Sequence, residues 1–155
     1  MSATVQPQIK LFCPTCSRER DARPMDYDER FVIHGITLDV HFTAYECKTC
    51  GEELADPSMP DLMKPVHDAY RRASGTLDPA EARAIRERAG LSQVAFATIL
   101  GMSPATINGI EAGLPMALKE DNLLRMAGIP SALRMLMRQR GHLLKPGQRP
   151  GRKPR

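Results

Sequence analysis

Between residues 36 and 44 the chain alternates without a break: Ile36, Leu38, Val40, Phe42 and Ala44 are apolar, and Thr37, Asp39, His41 and Thr43 are polar. Only Tyr45, at the end, departs from the rule. Period-2 alternation of this length predicts a half-buried β-strand. Phe31-Val32-Ile33 reads as a second strand, with His34-Gly35 as the turn or bulge between them, and Ile9-Lys10-Leu11-Phe12 as a short third. From Pro57 the period changes. Leu62, Met63, Val66, Ala69 and Tyr70 recur at helical spacing, although Pro60 and Pro65 confine regular helix to roughly 65–73. Ser74-Gly75-Thr76 then reads as a linker.

A run of short helices follows. Asp78-Pro79-Ala80-Glu81 combines an N-cap, a proline in the first turn and a capping-box acid, and that helix ends at Gly90. Ser92 caps a helix over 93–100, stopped by Gly101. Ser103 caps the next, with Pro104 in its first turn and Gly113 at its end. A fourth spans about 119–127 and a fifth 131–139. Five helices of two to three turns with short connections predict a compact all-α unit.

Composition narrows the class. Hydrophobic residues make up 42% and charged residues 26%, as in a soluble globular protein, while aromatics reach only 5% with no Trp. No stretch approaches the ~20 apolar residues of a membrane span. Residues 1–10 lack the basic start and apolar run of a secretory signal, so a cytoplasmic location with no membrane partner is expected. The net charge of +4 is unevenly placed: residues 138–155 carry seven Lys/Arg and no acid. With its glycines and prolines, the 141–155 segment reads as a disordered basic tail.

The chemistry begins with the cysteines. Cys13-Pro14-Thr15-Cys16 and Cys47-Lys48-Thr49-Cys50 are the only four, with thirty residues between the pairs. Each CxxC forms a tight turn that presents two thiolates to one ion, and two such turns complete a tetrahedral site. One Zn²⁺ is the expected occupant, with iron in a rubredoxin-like site as the alternative. Four protein ligands leave no open position, so the metal would be structural. Two disulfides would need an oxidising compartment, and a thioredoxin-like redox pair would need a βαβ unit that the pattern lacks. His34 and His41 read as turn and strand-surface residues.

In the helical half, Ile85 to Gln93, then Leu100-Gly101-Met102-Ser103, Thr106-Ile107 and Ile110-Glu111-Ala112-Gly113 resemble the helix-turn-helix of phage-repressor-type (Xre-like) DNA-binding domains. Ala95, Leu100 and Met102 let two helices cross closely, and Ile107 and Ile110 bury the inner face of the second. The resemblance implies double-stranded DNA as partner. Its candidate contacts are Ser92, Gln93, Ser103, Ala105, Thr106, Asn108 and Gly109, with Gln93 on a phosphate. It also implies an ion pair between Arg86 and Glu111.

A two-CxxC module, a short helix and an Xre-like domain in this order resemble the MqsA (YgiT) family of antitoxins over about residues 11–127. The resemblance implies an N-terminal module that binds one structural zinc and masks a cognate ribonuclease toxin. It further implies a C-terminal domain that dimerises, binds palindromic operator DNA and represses its own operon. The expected architecture is therefore α+β: a zinc-bound β module with a short helix over 1–75, a helix-turn-helix domain over 76–140 and the tail over 141–155. The recognition helix departs from that family, because it exposes Pro104, Ala105, Asn108 and Gly109 where base-reading side chains are usual. Gly109 also costs about 1 kcal/mol of helix stability relative to Ala. The alternative function is a zinc-containing interaction module whose helix-turn-helix mainly dimerises. No catalytic constellation stands out, so an enzyme is not expected.

Overall fold

A computed structural model describes residues 9–58 and 61–148. It contains four strands, β1 (Ile9–Cys13), β2 (Arg18–Ile33), β3 (Ile36–Cys47) and β4 (Glu53–Leu54), followed by six α-helices. These are α1 (Lys64–Ser74), α2 (Pro79–Arg88), α3 (Gln93–Leu100), α4 (Pro104–Glu111), α5 (Leu118–Ala127) and α6 (Pro130–Arg140). The chain divides into two compact units, Met1–Ala69 and Tyr70–Arg155.

In the first unit all four strands form one antiparallel sheet in the order β1-β2-β3-β4. The alternation predicted for β3 is present: Leu38, Val40, Phe42 and Ala44 are buried on one face. His34 and Gly35 both adopt positive φ (47° and 81°) between the paired Ile33 and Ile36. Two successive left-handed residues make the two-residue turn whose twist matches a β-hairpin.

β2 is far longer than the three residues expected. Its sequence, RERDARPMDYDER before Phe31, is dominated by charge and interrupted by Pro24, so no period-2 signal is visible. The structure shows why it is still a strand. Across the β2–β3 register, Arg23 bonds Glu46, Asp26 accepts from the Thr43 hydroxyl, Asp28 meets His41 and Arg30 bonds Asp39. On the apolar face Tyr27 stacks on Phe42 with ring centroids 5.5 Å apart, and Phe31 lies 5.9 Å from the same ring. Cross-strand pairs of this kind stabilise a sheet by a few tenths to about 1 kcal/mol each. Pairing, and not alternation, selects the strand.

In the second unit the five helices expected after residue 76 are α2–α6. A buried cluster of Leu77, Ile85, Leu91, Phe96, Ile99, Leu100, Ile107, Ile110 and Leu124 holds them together. Leu133, Leu136 and Met137 of α6 pack against this core. Arg140 donates to the Ile99 carbonyl at 3.2 Å and ties the end of α6 to the end of α3.

Two boundaries differ from the sequence reading. The unit boundary falls inside α1 and not at 75/76. Tyr70 is fully buried and its hydroxyl donates to the Met116 carbonyl at 2.7 Å, while Arg71 donates to the Gly113 carbonyl at 3.0 Å. The expected linker is itself pinned: Leu77 N–H donates to Asp121 Oδ1 at 2.8 Å and Arg125 donates to the Gly75 carbonyl at 2.8 Å. Secondly, ordered chain continues past residue 141. A 3-10 turn spans Gly141–Leu143, and Leu144 is buried in the helical core, so the first residues of the expected tail belong to the fold. Residues 149–155 of that tail lie outside the described residues. Among the described residues no helix is long and apolar enough to cross a membrane.

Candidate metal centre and nucleic-acid interface

The two CxxC turns sit at the ends of strands. β1 ends in Cys13 and β3 ends in Cys47. Each turn closes on a residue of positive φ, Ser17 (54°) after the first and Gly51 (77°) after the second. Gly51 N–H donates to the Cys47 carbonyl at 2.9 Å, and Ser17 N–H to the Pro14 carbonyl at 3.2 Å. β2 brings the turns together across thirty residues of sequence, because Cys13 pairs with Arg18 and Cys47 with Ala22 on the same strand. Lys48 N–H donates to the Asp21 carbonyl at 3.0 Å. The Thr15 hydroxyl donates to Glu52 Oε2 at 2.8 Å, joining one turn to the chain beyond the other. Ala22 and Leu54 are buried with Cys13 and Cys47, and Ile9, Leu11 and Tyr45 pack around them.

The four sulfurs all lie within 4.8 Å of one another and none is in a disulfide. Four thiolates around one ion at Zn–S of about 2.3 Å sit about 3.8 Å apart in tetrahedral geometry, so the cluster fits such an ion. Electrostatics point the same way. Burial pushes the Cys47 thiol up, but the N–H groups of Cys50 and Thr49 outweigh it and bring it down to about 6. The Glu52 N–H favours the Cys50 thiolate, yet desolvation and the neighbouring sulfurs of Cys13, Cys16 and Cys47 push this thiol up to about 12. One thiolate opposes the next at this range; a cation that all four could share removes the opposition. His34 lies in the hairpin turn and His41 on the exposed face of β3, outside the cluster.

In the helical unit the caps are as the sequence implied. Ala95 N–H donates to Ser92 Oγ at 3.2 Å and Thr106 N–H to Ser103 Oγ at 3.0 Å, while Gly101 takes the left-handed cap of α3 (φ 72°). Arg86 and Glu111 form a two-bond pair, Nε to Oε1 at 2.6 Å and Nη2 to Oε2 at 3.0 Å. The Glu111 side chain is 3% exposed. Burial raises its pKa, but Arg86, Gln93 and Arg83 together hold it below the usual carboxylate range. Arg86 also donates to the Leu91 carbonyl at 3.0 Å, so one guanidinium links α2, the α2–α3 turn and α4.

The candidate DNA contacts divide in two. Gln93 is half-buried and donates to Glu111 Oε2 at 2.9 Å, so it completes the internal network. Thr106 is half-buried, with its hydroxyl 2.8 Å from Ser103 Oγ. Ser92, Ser103, Ala105 and Asn108 are exposed. Gly109 has a local reason: a Cβ there would lie 3.0 Å from Leu114 Cδ1, and Leu114 N–H donates to the Gly109 carbonyl at 2.9 Å. The loop after α4 folds back over this position, and a larger residue would need the exposed end of Leu114 to give by a few tenths of an ångström. With the boundary at 69/70, the helical unit carries fifteen Lys/Arg against six Asp/Glu, or +9, of which residues 138–155 supply +7 and residues 76–137 nothing, and the sheet unit carries seven against twelve, or −5.

Residues 83–129 match the family model HTH_3, described as helix-turn-helix. No curated protein matches the chain, and no solved structure does. The chain thus joins a helix-turn-helix domain, a DNA-binding fold, to an antiparallel sheet that gathers four cysteines into a possible metal site.

Proposed function

We propose that this chain is a DNA-binding transcriptional regulator of the MqsA antitoxin type, working in the cytoplasm as a homodimer on a palindromic operator of its own operon. The observation that carries the reading is the separation of charge between two units of different chemistry: +9 on the unit that holds the helix-turn-helix and −5 on the unit that holds the cysteines. Phosphate neutralisation by Lys and Arg supplies most non-specific affinity for DNA. The helical unit has that charge, with +7 of the +9 in residues 138–155, and the N-caps Ser92 and Ser103, together with Ala105 and Asn108 of α4, lie at its surface.

Cys13, Cys16, Cys47 and Cys50 would hold one Zn²⁺, which supplies structural cross-linking and no chemistry, since no ligand position stays open. The acidic sheet unit suits a basic partner such as a ribonuclease toxin, by the electrostatic complementarity that steers association. No catalytic role is part of this reading. A second reading, an interaction module that dimerises through its helices, is favoured by the small, mostly apolar outer face of α4.

Footprinting on the DNA upstream of its own gene tests the proposal. A dimer protects two half-sites one helical turn, about 34–36 Å, or a multiple apart. An unprotected upstream region at saturating protein would favour the interaction module.

A further inference from the structure

α4 and its flanks offer few polar groups that discriminate between bases, because a Ser or Thr hydroxyl bonds donor and acceptor edges alike. Ser92 and Ser103 accept helix-capping bonds from Ala95 and Thr106, the Thr106 hydroxyl faces Ser103, and Gln93 is bonded to Glu111. Glu111 is itself buried at 7% exposure. Among the described residues of α4, Asn108 is the one exposed polar side chain. Pro104 and Asn108 lie four residues apart on one exposed face of α4, with Ala105 beside them and the C-cap Ala112 beyond. From Ser92 to Leu118 the sequence contains no Lys or Arg.

These facts decide between base pairs. In the major groove guanine presents two acceptors, and its usual partner is Arg or Lys, which this stretch lacks. Cytosine presents a donor and needs an exposed acid, whereas the acid of α4 is buried in the Arg86 pair. Adenine offers N7 and N6–H to one Asn amide, and thymine offers a methyl group that meets apolar side chains. We infer that α4 reads A·T base pairs in the major groove, with Asn108 bonding an adenine edge and the methyl group of Ala105 against a thymine methyl. This rests on the DNA-binding reading and names the sequence class the site takes.

The test is selection of the full-length, metal-loaded protein on random duplexes, followed by affinity measurements on the selected sequence with single-atom base analogues. The cationic residues of 149–155 could also favour A·T tracts through a narrow minor groove. Replacing adenine by 7-deazaadenine removes only the major-groove N7 acceptor, and deoxyuridine removes only the thymine methyl. Both leave the minor-groove edges intact. The expected result is an A·T half-site whose affinity falls with each analogue. Asn108→Ala should lower the preference for adenine at one position roughly five- to 150-fold and leave scrambled DNA bound as before. A selected G·C half-site overturns the inference. So does an A·T preference indifferent to both analogues and to Asn108→Ala, or equal binding of all duplexes; in each case DNA binding itself stands. Binding to no duplex overturns the DNA-binding reading and this inference with it.

Discussion

Cys16→Ser is expected to release the metal and melt the sheet unit while the helical unit keeps its own transition. The reason lies in how little else closes that end of the sheet. Cys13, Ala22, Cys47 and Leu54 are the buried residues there, and two of these are themselves ligand candidates. β4 contributes two residues. Structural zinc sites are worth an apparent ~10–16 kcal/mol in zinc-finger peptides, on the scale of the whole stability of an ordinary domain. Removal of one of four thiolates leaves an open coordination position and a cluster of sulfurs that no longer share a charge. Metal content by a colorimetric chelator and thermal unfolding by circular dichroism check this together. Retention of one metal equivalent with an unchanged melt would show that the four thiols do not form a structural site. A strong chelator added to the wild-type chain should reproduce the Cys16→Ser melt.

The second large effect is expected at Glu111. Glu111→Ala removes the acceptor for Arg86 and Gln93 and leaves a guanidinium whose side chain is 13% exposed without its partner. Breaking a buried pair in this way costs about 3–5 kcal/mol, a large part of the 5–15 kcal/mol of an ordinary domain. The same pair imposes a pH dependence. Arg86, Gln93 and Arg83 outweigh burial and hold the folded pKa of Glu111 below its ordinary value of 4.5. Its stabilisation is therefore complete above pH 4.5 and is lost as pH falls through the lower folded value. Melts of the helical unit between pH 7 and pH 3 should show this loss, and Glu111→Gln, which keeps the shape but not the charge, should be less stable at pH 7 and fall less on acidification. An identical pH profile in the two proteins would remove the pair from the account.

The sequence made some of this legible for identifiable reasons. The helix-turn-helix was readable because Ser92, Gly101, Ser103 and Gly113 mark helix ends by local chemistry, and the caps form as their residue types require. The metal cluster was readable because a CxxC turn carries its geometry within four residues. β2 was not, since its strand character depends on partners nine to twenty-three residues away, such as Asp39 for Arg30 and Glu46 for Arg23. The unit boundary at 69/70 depends on Tyr70 reaching Met116, forty-six residues on, and Leu144 gives no local sign that it joins the core. Gly109 reads from sequence as a weakness in the recognition helix, and only the structure shows Leu114 lying against it. Among the candidate base contacts, sequence could not distinguish an exposed Asn108 from a Gln93 already bonded to Glu111.

An exposed Asn108 matters only if the helical unit reads DNA sequence. The most direct measurement is fluorescence anisotropy of the metal-loaded chain on its own upstream duplex and on a scrambled duplex of equal composition, across a salt series. The expected result is a preference of at least about a hundredfold for the upstream DNA, near the lower end of specific readers, with weakening on both duplexes as salt rises. Equal affinities that fall together with salt would contradict it: the +9 unit would then hold phosphates without reading bases.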